Sequence, residues 1–140
     1  MKNSRWACVD TNVILRVIIN DGSGQRERFL DLITAGKYFF VPDMAIYEAV
    51  YVMSSKRYNF KRERIIESLR DFLSEPRFDY NKPVFDLVFE EFPKHPKLSF
   101  ADCYMCAVAK AHEMEPLWTF DRKLANQCDM AREVPVKNIS

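Results

Sequence analysis

Trp6-Ala7-Cys8-Val9-Asp10-Thr11-Asn12-Val13-Ile14-Leu15 is the stretch that decides how this chain is built. An apolar run stops on an acid, and a second apolar run starts almost at once. The first reads as a strand over 6–9, and Asp10-Thr11-Asn12 supplies N-cap chemistry for a short helix over 13–19. Leu117-Trp118-Thr119-Phe120-Asp121 repeats the plan, with a short helix over about 122–127 behind it.

Between these points strand and helix patterns alternate. A turn at 20–24 leads to a helix ending at Ala35, with Gly36 as its stop. Tyr38-Phe39-Phe40-Val41 is a strand closed by Pro42. A long helix follows from 43 to about 56, then one over 61–73 with Ile65, Ile66, Leu69, Phe72 and Leu73 on one face, which makes a helical hairpin. A short strand at 78–80 precedes a helix over 84–92, a loop holding His95, and a helix from 100 to about 113. Glu133-Val134-Pro135-Val136 reads as a weak last strand. This alternation argues for an α/β fold with a parallel sheet covered on both faces.

Composition sets the outer limits. A chain of 140 residues suits one domain with a single sizeable core, so the expectation is one domain over 1–140. Eleven Phe point to an aromatic-rich core or interface. The net charge of +1 neither argues for nucleic acid nor excludes it, so an anionic partner needs local basic patches. The apolar run over 13–19 is short and carries Arg16, and fits neither a secretory signal core nor a membrane span. A reducing, cytoplasmic compartment is expected. Cys103 and Cys106 form C-x-x-C inside a helical pattern, while Cys8 and Cys128 stand alone. The paired spacing of a structural zinc site is missing, and all four are expected to be buried apolar thiols. No phosphate-cradling glycine motif occurs. Asp10-Thr11-Asn12 is loosely like a phosphatase nucleophile motif, but Asn12 stands where its second Asp is needed.

Four acids lie in apolar surroundings: Asp10, Glu48, Asp102 and Asp121. Burying a carboxylate costs several kcal/mol unless a cation, a proton or hydrogen bonds compensate it. One shared hard divalent cation with oxygen ligands accounts for all four together. Piecemeal readings exist for three. Asp10 and Asp121 can cap the helices behind them, and Asp102 fits a capping box with Ser99. Glu48 is mid-helix among Met44, Ala45, Tyr51 and Val52, so it caps nothing and is expected to point along an apolar face. Asp10 and Asp121 both end strands, and sites in parallel α/β sheets form at that edge.

On these residues the chain resembles the PIN domain family, which includes many metal-dependent ribonucleases and the VapC-type toxins of toxin–antitoxin pairs. Val9-Asp10-Thr11-Asn12-Val13-Ile14-Leu15 is similar to the family's opening motif. Glu48, Ser99-Phe100-Ala101-Asp102 and Leu117-Trp118-Thr119-Phe120-Asp121 follow in the family's order. The resemblance covers Val9 to about Val136. It implies a three-layer α/β/α fold with a central parallel sheet of about five strands. It also implies that Asp10, Glu48, Asp102 and Asp121 bind one or two magnesium or manganese ions, with Asn12 and Thr119 in support. The family often places another acid shortly after the last Asp; here Arg122, Lys123 and Leu124 follow, with Asn126 and Asp129 as stand-ins.

The function implied is metal-dependent RNA hydrolysis by the toxin of a pair, with a cognate antitoxin and a homodimer. A non-catalytic PIN module binding RNA or protein and a housekeeping RNA-processing nuclease are the alternatives. Asp10 and Asp102 are the leading ligands, Asp121 is next, and Glu48 acts through water or as the base. Arg122 and Lys123 beside Asp121, and Arg16 past Asn12, are placed to meet phosphate. The cation-rich stretch Lys56 to Arg64, with its two aromatics, suits RNA or a solvated hairpin tip equally. His95 and His112 receive no role.

Overall fold

A computed structural model describes residues 6–136. The chain divides into two compact units, with the boundary between Asn81 and Lys82.

The N-terminal unit holds β1 (Trp6–Cys8), α1 (Thr11–Ile18), α2 (Gln25–Thr34), β2 (Tyr38–Phe40), α3 (Asp43–Met53), α4 (Arg62–Leu73) and β3 (Phe78–Asp79). Its sheet is parallel in the order β1-β2-β3, with Trp6 opposite Tyr38 and Phe39 opposite Phe78. Each parallel step needs a crossover, which the helix pairs α1–α2 and α3–α4 provide. Ile14, Val41, Ile46, Met53, Ile65 and Leu69 are almost fully buried. Phe29, Phe39, Phe72 and Phe78 form an aromatic cluster with ring centroids 4.8–6.1 Å apart. The two helices expected to form a hairpin are α3 and α4; both pack against α1.

The second unit holds α5 (Lys82–Glu91), a 3₁₀ turn over Phe92–Lys94, α6 (Phe100–Ala111), β4 (Leu117–Thr119), α7 (Arg122–Gln127) and β5 (Ala131–Glu133). β4 and β5 pair in parallel, with Leu117 opposite Ala131 and Thr119 opposite Glu133. Phe85, Phe89, Phe92 and Phe100 are buried here, so the phenylalanine excess is spent on both cores.

Three expectations change. The five described strands form a three-stranded and a two-stranded sheet rather than one sheet of about five. The last strand lies at Ala131–Glu133, ahead of the 133–136 expected, because Pro135 has no N–H to give a ladder. The cysteines are not four buried thiols: Cys106 is disulfide-bonded to Cys128, Cys8 is exposed, and Cys103 alone is a buried thiol. Among the described residues no helix is long and apolar enough to cross a membrane.

Candidate acidic site

Asp10 terminates the extended segment after β1 and caps α1, its Oδ1 accepting from the Val13 N–H at 3.2 Å. Asp121 does the same after β4: its Oδ1 accepts from the Lys123 and Leu124 N–H groups at 2.9 and 3.4 Å. Thr119 lies two residues earlier, and its hydroxyl accepts from the Asp121 N–H at 3.0 Å, fixing the backbone that presents the acid. Asp102 completes a capping box on α6. The Asp102 N–H donates to the Ser99 hydroxyl at 3.0 Å, and the Ser99 N–H donates to Asp102 Oδ2 at 3.1 Å. Each of these three acids commits one oxygen to its helix, and its other oxygen takes no donor among the described residues.

Glu48 behaves differently. It makes no hydrogen bond or ion pair with any described residue, and it is exposed. It does point along an apolar face, as expected, but that face is exposed rather than turned to the core. α3 is apolar on two sides; its core side is Ala45, Ile46, Ala49, Val50 and Met53, and Glu48 lies on the other. Asp10 and Asp121 are exposed as well, Asp102 is half-buried, and no described polar residue is buried. Burial cost thus carries no argument for a metal here. None of the four acids pairs with a cation among the described residues.

The other candidates are placed as follows. Asn12 is exposed on the first turn of α1. Arg16 is engaged locally, its Nε donating to Gln25 Oε1 at 2.7 Å and its guanidinium 3.5 Å from Asp21. Arg122 lies 3.3 Å from Glu133. The Lys123 ammonium is exposed and meets no described carboxylate. His95 pairs with Glu91 at 2.9 Å, on the wall of a cavity of about 170 Å³ that Cys103, Cys106 and Cys128 also line; Asp102 and Asp121 do not line it. Sequence reasoning missed the exposed aromatic side of α3, although Tyr47 and Tyr51 flank Glu48 at helical spacing.

The donor set suits a hard divalent ion in kind, with a free carboxylate oxygen on each acid. Among the described residues no three acidic, His or Cys side chains gather, so no coordination geometry follows. A comparison with curated proteins returns no match. Residues 7–129 match the PIN domain, whose members are generally nucleases and typically use divalent metal ions. That match runs from β1 through the stretch before β5 and takes in all four acids, and on it the chain belongs to the PIN domain family.

Proposed function

We propose that this chain is a divalent-metal-dependent endoribonuclease, the VapC-like toxin of a toxin–antitoxin pair. One observation carries the reading beyond family membership. Asp10, Glu48, Asp102 and Asp121 each keep a carboxylate oxygen free of described donors, and none has a described cation beside it. Negative charge of this kind is what a nuclease of this family spends on magnesium or manganese.

Asp10, Asp102 and Asp121 are the proposed ligands. Their capping bonds fix the carboxylates before an ion arrives, which reduces the ordering cost of binding. When bound, such an ion supplies Lewis acidity towards the phosphate and a nucleophile at neutral pH. Glu48, with no described donor on it, accepts the proton of the attacking water. Lys123 meets substrate phosphate directly, while Arg16 and Arg122 exchange their carboxylate partners for it.

The test is RNA cleavage by the purified chain with magnesium or manganese, against a chelator control. Asp10→Asn abolishes cleavage with an unchanged circular dichroism spectrum; full activity in that variant overturns the assignment. Growth arrest on expression, relieved by Asp10→Asn and by a co-expressed antitoxin, marks the toxin. Cleavage without growth arrest favours a housekeeping nuclease. Sedimentation tests the homodimer that goes with the toxin reading.

A second reading is a PIN module that binds RNA or protein without cutting. RNA binding by the wild type, with no cleavage in either metal, decides for that module.

A further inference from the structure

α3 spends only one of its two apolar sides on the core. Met44, Tyr47 and Tyr51 are 63%, 39% and 71% exposed. With Glu48 they follow the i, i+3, i+4, i+7 spacing of a single helix face. Large side chains held in water along one line mark an interaction surface. Tyr47 and Tyr51 are one helical turn apart, about 6 Å along the axis, with Glu48 between them in sequence.

The same helix leads into a cationic turn. The Phe60 N–H donates to the Met53 carbonyl at 2.8 Å, and Asn59 takes a left-handed conformation at φ 51°, which Asn tolerates better than most residues. The tip between α3 and α4 is thereby a built structure. Lys56, Arg57, Lys61 and Arg64 are exposed on or beside it, and none pairs with a carboxylate among the described residues. Two of these cations already lie on rings: the Arg64 guanidinium is 3.8 Å from the Phe60 centroid and that of Arg57 is 5.2 Å from Tyr58.

We propose that the outer side of α3 and this tip form a binding track for single-stranded RNA. Bases stack on Tyr47 and Tyr51, and phosphates meet Lys56, Arg57, Lys61 and Arg64. The track deepens the ribonuclease reading above, on which it rests, because it runs past Glu48. Charge complementarity selects this occupant over a protein. Four cations without carboxylate partners suit a polyanion, and rings beside them suit bases, whose flat faces are open only in a single strand.

The experiment is fluorescence anisotropy of the full chain with a labelled single-stranded RNA of about 12 nucleotides, in chelator so that nothing is cut. Tyr51→Ala weakens binding roughly tenfold or more, whereas Tyr51→Phe keeps it. Arg57→Ala combined with Lys61→Ala lowers the slope of log affinity against log salt by about 1–2. A duplex of the same sequence is insensitive to Tyr51→Ala. Unchanged single-strand binding in the Tyr47→Ala, Tyr51→Ala double variant overturns the track. So does a double variant that turns a dimer into a monomer while RNA binding is unaffected, which assigns the face to a protein interface. Binding in chelator reads out even where the wild type cuts no RNA, so failure of the track and failure of the nuclease reading are distinguishable.

Discussion

α3 and α6 are both apolar helices carrying one candidate acid each, and they hold it in opposite ways. Asp102 opens α6, where it is locked with Ser99 in a reciprocal box and half-buried. Glu48 sits mid-way along α3 on the exposed side, with no described partner. The difference separates two economies of charge. An acid that builds its helix is compensated by the backbone whether or not it does chemistry. An acid that builds nothing is explained either by solvation or by chemistry, and the proposed site assigns Glu48 the second.

Glu48→Gln puts the largest strain on this contrast. Cleavage falls by about 10²–10⁴-fold, as for loss of a general base, while the melting temperature stays with the wild type because exposed substitutions change stability by about 0.5 kcal/mol or less. Single-turnover kinetics and a thermal melt check both. Full cleavage by this variant leaves α3 with no chemical acid, and the contrast collapses into surface decoration.

α6 has a second anchor that α3 lacks, the bond from Cys106 to Cys128 at the end of α7, with a sequence separation of 22. A loop of that length is worth about 3 kcal/mol in the chain-entropy account. Cys128→Ser is expected to lower the urea midpoint of the full chain by a corresponding amount, and a reductant to bring the wild type to the same value. Coincident midpoints with and without reductant indicate that packing alone holds α6.

Ser99→Ala sharpens the cap itself. It costs about 1 kcal/mol of stability and leaves cleavage within a few-fold of the wild type. Asp102→Asn does the reverse, since an amide oxygen still accepts the Ser99 N–H but is a poor ligand for a hard cation. Measuring denaturation and cleavage on both variants shows whether the two duties of Asp102 come apart.

The smallest effect is expected at Asp21, the acid that shows what compensation looks like. Hydrogen bonds from Ser23 hold its carboxyl below the usual range, with Arg16 adding to them. Because the folded value is the lower one, the contribution to stability is present above the ordinary carboxylate pKa. It is lost as pH falls through the lowered value. A carbon-detected titration should show Asp21 protonating below the ordinary aspartate pKa, and Ser23→Ala should raise its midpoint.

Much of the fold was legible because it is local. Asp10 and Asp121 read as caps from the acid that stops each strand, and both hold their helices. Ser99 and Asp102 read as a box from their spacing. Helix α4 and its inner face followed from the periodicity of Ile65, Ile66, Leu69, Phe72 and Leu73, all buried. The side of α3 that enters the core was not legible. Met44, Tyr47 and Tyr51 continue the hydrophobic pattern beside Ile46 and Val50, so periodicity offered two faces. The cysteines misled for a related reason. Cys103 and Cys106 are close in sequence, yet Cys106 finds its partner in another element.

The sequence by itself determined the alternation of strands and helices, the helix starts at Asp10, Ser99 and Asp121, and the four acids that carry the family motif. Each depends on contacts within a few residues, which composition and spacing encode directly. Only the tertiary structure decided that the strands divide into two parallel sheets, that Cys106 reaches Cys128, and that Glu48 faces outward between two tyrosines. Those outcomes depend on which surfaces bury each other. Burial is a competition among distant segments, and no local pattern records the winner.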